Sequence, residues 1–187
     1  MTRGGVRISG GKLRGRSLSV PGTARPTSAR LREALFDIWQ PRITRARVVD
    51  LFAGTGAVGF EALSRGADFV VFVESDRGAV RRLQRACSEL APGSTTVCLA
   101  ELPAQINRVL RVSGKENDLV FADPPYDFGD YEKLIASLVG LLAEGGQVAL
   151  EHSTRRDLPH SVEGLERTDT RTYGENRVTF FSLAEGG

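Results

Sequence analysis

The sequence predicts an α/β fold with a mostly parallel central sheet, and three observations lead there. From Val48 onward, short runs rich in β-branched and aromatic residues alternate with helix-like segments, the pattern of buried strands covered by helices on both faces. A Gly-x-Gly-x-x-Gly stretch (Gly54, Gly56, Gly59) lies between the first such run and the first helix, and Glu74 closes the next run. The tail differs, with two β-rich runs joined through Tyr173-Gly174-Glu175-Asn176, which suits an antiparallel hairpin at the sheet edge.

In order, the spacing predicts strands at 47–52, 69–74, 95–99, 118–122, 147–151, 165–173 and 177–183, a seven-stranded sheet. Helices are predicted at about 57–65, 77–90, 102–111 and 131–143. Residues 25–39 add an earlier helix, capped by Thr27 or Ser28, with Leu31, Ala34, Leu35 and Ile38 at the spacing of a buried stripe and Arg25, Arg30 and Arg32 off it. Before it, residues 6–18 read as two alternating runs around Gly10-Gly11, a two-residue hairpin signal. In that register Ile8 faces Leu13 and Arg7 faces Arg14, which leaves Arg7, Lys12, Arg14 and Arg16 together on one face. Like charges opposed on a sheet repel, so such a face makes sense beneath a polyanion.

A chain of 187 residues with 41% hydrophobic and 26% charged residues has the size of one ordinary domain with a sizeable core. The net charge of +2 conceals an asymmetry: residues 1–47 hold eleven Lys or Arg and two acids, so the rest of the chain is mildly acidic. No apolar run approaches the roughly 20 residues that span a bilayer, and the amino terminus lacks the apolar core of a signal peptide. A cytoplasmic monomer is expected. Cys87 and Cys98 have no partners at metal spacing, so both are expected to be buried thiols, and no metal site is expected.

The stretch Val-Val-Asp-Leu-Phe-Ala-Gly-Thr-Gly from Val48 has the order strand, glycine loop, helix and distant acid that a nucleoside-containing cofactor needs. Glu74 can accept from ribose hydroxyls, with Ser75 beside it. A dinucleotide is disfavoured by Asp50, whose carboxylate would sit beside the pyrophosphate. S-adenosylmethionine carries an ammonium and a sulfonium in place of phosphate, and an Asp attracts both. The cofactor set is therefore Asp50, Phe52, Gly54, Gly56, Glu74 and Ser75, with Glu101 a candidate for the adenine amine. The competing reading of Asp50 is a carboxylate that only satisfies loop amides; that of Glu101 is an acid placed by a helix dipole.

Asp123-Pro124-Pro125-Tyr126 follows the fourth strand, on the same sheet edge as the glycine loop. An amine on a nucleic-acid base is a poor nucleophile because its lone pair is delocalised into the ring. Asp123 and the Pro124 carbonyl can accept its two N–H groups, the tandem prolines hold those acceptors rigidly, and Tyr126 offers a face on which a base stacks. Glu151 and His152 end the fifth strand near this edge, where either is placed to touch the base or its ribose, though a strand-end salt bridge is the simpler expectation.

Taken together, Arg7 to Arg16 (R-I-S-G-G-K-L-R-G-R), Arg25-Pro26-Thr27 with Arg30 to Glu33, Asp50 to Gly56, Val73 to Arg77 and Asp123 to Tyr126 resemble the 16S ribosomal RNA guanine-N2 methyltransferases that modify guanine 966. The resemblance implies a Rossmann-like class I S-adenosylmethionine-dependent methyltransferase domain over 47–187. It implies an RNA-binding extension over 1–46 that uses Arg7, Lys12, Arg14, Arg16, Arg25 and Arg30, and a substrate presented on the small subunit. The alternatives are a DNA adenine-N6 or cytosine-N4 methyltransferase, which this chain's lack of a large recognition insert disfavours, a non-catalytic ribosome-assembly factor, and a nicotinamide oxidoreductase.

Overall fold

The computed structural model describes residues 5–20, 27–114 and 116–184. Arg25 lies outside them. The elements in order are β1 (Val6–Arg7), β2 (Ser17–Leu18), α1 (Ala29–Trp39), β3 (Arg47–Leu51), α2 (Ala57–Arg65), β4 (Phe69–Glu74), α3 (Arg77–Leu90), β5 (Thr95–Leu99), α4 (Ile106–Ser113), β6 (Asn117–Ala122), α5 (Tyr131–Leu138), a 3-10 turn Val139–Leu141, β7 (Leu142–Ser153), β8 (Ser161–Val162), β9 (Leu165–Tyr173) and β10 (Asn176–Leu183).

The main sheet runs β5-β4-β3-β6-β7-β10-β9-β8, with its first five strands parallel and the last three joined antiparallel. It has eight strands rather than seven because the connection from β7 to β9 contributes the two-residue edge strand β8. Alternate strand residues serve opposite faces. Val48, Val70, Phe72, Leu119 and Phe121 pack under α1, α2 and α3, while Val49, Leu51, Val71, Val120 and Leu150 pack under α4 and α5. Two helices are shorter than the sequence spacing predicts. A turn over Leu102–Gln105, which contains Pro103, replaces the first turn of α4, and α5 ends at Leu138, before Gly140. No described helix is long and apolar enough to cross a membrane.

The basic amino-terminal segment does not form the expected ladder. β1 and β2 pair as Val6 with Leu18 and Arg7 with Ser17, so residues 8–16 form a loop and the Arg7–Arg14 and Ile8–Leu13 pairings are absent. Gly10 and Gly11 lie instead against the carboxyl end of α2. There the Lys12 N–H donates to the Ser64 carbonyl and the Leu13 N–H to Ser64 Oγ, both at 2.8 Å. A helix end exposes carbonyls that need donors, and the loop supplies one. Gly11 has a φ of 71°, and a Cβ there would meet the Ser64 carbonyl oxygen at 1.8 Å, so no other residue fits without displacing the loop. Arg7, Lys12, Arg14 and Arg16 remain exposed.

Ser28 caps α1, its hydroxyl accepting from the Leu31 N–H at 3.2 Å. The buried face is Leu31, Arg32, Leu35, Phe36 and Trp39, with Ala34 and Ile38 only half-buried. Arg32 thus belongs to the inner face, contrary to its expected place off the stripe, because Glu61 waits there. Its Nε lies 3.6 Å from Glu61 Oε2, and its Nη2 donates to the Arg7 carbonyl at 2.9 Å. Glu61, wholly buried on α2, also accepts from the Ser9 N–H, the Ser9 hydroxyl, the Gly10 N–H and Arg65 Nε, all at 2.8 Å. Burial alone would raise this carboxyl, but the Ser9 and Arg65 hydrogen bonds hold it below its ordinary value. Ile8, Leu18, Leu35 and Trp39 share the core of the sheet face they cover, and Trp39 Nε1 donates to Gln147 Oε1 on β7 at 3.0 Å.

Candidate active site

The strand order reverses between β3 and β6: the chain builds outward through β4 and β5, then returns to place β6 on the other side of β3. Crevices for ligands open at such switch points, beyond the carboxyl ends of the strands. Asp50 faces Phe121 and Leu51 faces Ala122 in the register, so the loop after β3 and the Asp123 turn after β6 emerge side by side. Thr27, Asp50, Phe52, Gly54, Thr55 and Asp123 line the resulting cleft, together with Ala53, Ala57, Val58 and Phe121.

The loop is held by its own carboxylates. Backbone torsions turn left-handed at Phe52 (φ 56°), Gly54 and Gly56, and a non-glycine residue in that region signals a conformation imposed by its surroundings. Glu74 Oε2 accepts from the Gly54 N–H at 2.9 Å, and Oε1 accepts from the Ser75 and Asp76 N–H groups at 2.7 and 2.9 Å. Asp50 is buried and accepts from the Gly59 N–H at 2.9 Å. Gly59 allows this approach, since a Cβ there would meet the Phe72 ring at 2.3 Å. Burial pushes Asp50 up to about 8 against the Gly59 hydrogen bond, and the Asp123 and Glu74 charges push it further the same way. No Lys or Arg ion-pairs with Asp50, Glu74 or Asp123 among the described residues. The cleft is therefore lined by carboxyls without counter-cations, and it suits a cation, which favours their ionised forms, where it would repel a pyrophosphate.

At the reaction end, Thr27 Oγ1 donates to Asp123 Oδ2 at 3.1 Å. Thr27, a candidate cap in the sequence, thus serves the Asp123 carboxyl while Ser28 does the capping. Pro124 is buried, whereas Pro125 is exposed and its carbonyl accepts from the Phe128 N–H at 2.9 Å. No hydrogen bond among the described residues uses the Pro124 carbonyl, which leaves it open as an acceptor. Tyr126 is 79% exposed, the most exposed large apolar side chain among the described residues. Phe128 packs edge-on to both Phe52 and Tyr131, with centroids 5.6 and 5.2 Å apart, and so ties the two loops together.

Glu101 is exposed just past β5, and α4 begins only at Ile106, so a dipole at a helix start does not account for it. Arg30 is exposed on α1. Glu151 forms no ion pair among the described residues, contrary to the salt bridge expected of it; it lies buried beside Asp123, within hydrogen-bonding reach. His152 is buried and meets Thr179 Oγ1 through Nε2 at 2.8 Å. A larger cavity of about 370 Å³ beside His152, His160, Arg167 and Arg177 lies away from the Asp50 and Asp123 carboxylates. Cys87 and Cys98 are buried free thiols, and burial raises both.

The sheet order and the cleft at its switch point define a class I, Rossmann-like methyltransferase. Residues 6–182 match the family described as conserved hypothetical protein 95. Escherichia coli ribosomal RNA small subunit methyltransferase D is 37% identical over 160 residues, covering 83% of this chain and 79% of that protein. The solved structure of the Escherichia coli protein yhhF superposes with a TM-score of 0.83 at 30% identity, over 97% of this chain and 99% of that one. A hypothetical protein of Thermus thermophilus gives a TM-score of 0.77 at 39% identity, over 94% and 98%. The chain belongs to the conserved hypothetical protein 95 family.

Proposed function

We propose that this chain transfers a methyl group from S-adenosylmethionine to the exocyclic N2 amine of a guanine in 16S ribosomal RNA, guanine 966 on the family resemblance. The observation that carries the reading is one carboxyl-lined cleft that joins the Asp50–Gly56 loop to Asp123, the first residue of Asp123-Pro124-Pro125-Tyr126. The donor set fits the cofactor: Asp50 suits its cationic end, Glu74 and Ser75 its ribose, and Glu101, one strand further out, its adenine. When bound, S-adenosylmethionine supplies a methyl group on a cationic sulfur, which needs no protein acid to leave.

The protein's own work is orientation. The Asp123 carboxylate and the Pro124 carbonyl accept the two amine N–H groups, so the lone pair points away from both. As the nitrogen gains positive charge Asp123 stabilises it, and the Asp123 carboxylate, already hydrogen-bonded to the amine, then takes one N–H proton. Tyr126 gives the extruded base a face to stack on. Residues 1–46 act as the RNA-binding extension of a 47–187 catalytic domain through Arg7, Lys12, Arg14, Arg16, Arg25 and Arg30. The substrate is the small subunit, met in the cytoplasm by a single copy of the protein. Asp123→Ala tests the reading: transfer should be lost while cofactor affinity, measured by calorimetry, stays within a few-fold. Near-normal turnover would remove Asp123 from the chemistry.

A further inference from the structure

We propose that Glu151 is a positioning residue for Asp123: its neutral carboxyl donates a hydrogen bond to the Asp123 carboxylate and fixes the acceptor that the target amine meets. This rests on the role given to Asp123 above.

The register brings the two together. Ala122 on β6 lies opposite Leu150 on β7, so the next residues, Asp123 and Glu151, emerge side by side from parallel strands. Glu151 is 4% exposed, and its Oε1 accepts from Asn176 Nδ2 on β10 at 2.6 Å. Oε2 is buried and receives no donor from any described group. Among the described residues the pair meets Asn176 from β10, Thr27 from the segment before α1 and Tyr131 from α5, all neutral, and the carboxyl of Asp50 from β3, which shares the cleft with Asp123 and senses its charge. The Arg156 guanidinium lies over the Tyr131 ring, 4.7 Å from the centroid.

A buried carboxyl and a half-buried one in contact, with no ion pair to either among the described residues, do not both ionise, so the pair keeps one proton. Thr27 already donates to Asp123, which favours the charge there, and the proton then sits on Glu151, filling the one hydrogen bond that Oε2 otherwise lacks. Burial, and then the Asp123 charge beside it, push the Glu151 carboxyl well above the usual carboxylate range. Asp123 is raised as well, first by burial, but the Thr27 and Glu151 hydrogen bonds restrain it. The consequence is a single negative charge at the reaction end, held in one orientation. A second proton at acid pH neutralises Asp123. Loss of the first at alkaline pH sets two carboxylates against each other, so activity should fall on both sides.

Glu151→Gln keeps a donor towards Asp123 and an acceptor for Asn176, while Glu151→Ala keeps neither. Infrared spectroscopy of the ligand-free protein near neutral pH should show carbonyl bands of buried protonated carboxylic acids from Asp50 and Glu151, the Glu151 band persisting in Asp50→Asn and absent from the Asp50→Asn/Glu151→Gln double variant. Glu151→Ala should lower kcat about tenfold or more, with KM for small subunits and cofactor affinity within about threefold. Glu151→Gln should recover most of that loss and no longer show the wild-type alkaline fall. No such band in Asp50→Asn, a Glu151→Gln variant as impaired as Glu151→Ala though folded, or a Glu151→Ala variant with normal kcat overturns the proposal. If wild type methylates no RNA, the functional reading fails, while the infrared result still decides whether the pair holds its proton.

Discussion

Replacing Glu61 by Ala should cost this protein a large part of its stability. Glu61 is wholly buried, accepts four hydrogen bonds at 2.8 Å from Ser9, Gly10 and Arg65, and faces Arg32, which is 2% exposed. Without the carboxylate, a buried guanidinium and three loop donors lose their acceptor together. Removing one partner of a buried pair costs about 3–5 kcal/mol, and a domain of this size loses about 2–4 °C per kcal/mol, so Tm should fall by roughly 6–20 °C. The pH dependence has a definite sign. Because hydrogen bonds hold the folded carboxyl below its ordinary value, its stabilisation is fully present above that ordinary value and is lost as pH falls through the lowered one. Thermal unfolding of wild type and Glu61→Ala across a pH series, with an Arg32/Glu61 double-mutant cycle, measures both effects. A loss under about 1 kcal/mol, or a difference that persists unchanged into acid, would show that the pair behaves like a solvated surface bridge.

Glu74→Ala should weaken S-adenosylmethionine binding by about 1.5–3 kcal/mol in calorimetry, as loss of a charged acceptor does; unchanged affinity in a folded variant rejects the ribose assignment. Cofactor binding should release a proton, because Asp50, raised to about 8, is mostly neutral below that pH and a cation favours its ionised form. Affinity should therefore weaken as pH falls from about 8, and titrations in buffers of different ionisation heat should show proton release in wild type and none in Asp50→Asn. Tyr126→Phe should keep most of the turnover that Tyr126→Ala loses, since stacking uses the ring and not the hydroxyl. Arg7, Lys12 and Arg14 replaced together by Ala should flatten the slope of log RNA affinity against log salt by roughly two to three units, with cofactor binding intact. An unaltered slope would leave those exposed cations without a role in RNA binding.

What the sequence revealed was whatever local periodicity and short motifs encode. α2, α3, β4, β5 and β9 begin and end where the residue pattern places them, because strand and helix periods differ sharply and Gly66 and Asp76 punctuate them. The glycine loop and the Asp123 turn fall on one edge because parallel connectivity demands it. The hairpin register escaped for the opposite reason: what decides it is Ser64 and Glu61, over fifty residues away in sequence, and no local signal competes with a helix end in need of donors. Arg32 escaped in the same way, since an arginine on a helix reads as exposed until its buried partner is known. Thr27 and Glu151 reach Asp123 only through tertiary contact, which the readings of a helix cap and a strand-end salt bridge could not anticipate.

The most direct measurement supplies labelled S-adenosylmethionine to the purified protein with, in separate reactions, small ribosomal subunits lacking the modification, naked 16S ribosomal RNA and duplex DNA, and then maps the label by nucleoside analysis. The account predicts label in N2-methylguanosine from the small-subunit reaction and none in DNA. Label in N6-methyladenine or N4-methylcytosine of the duplex, or no transfer to any RNA by protein that binds the cofactor, would contradict it.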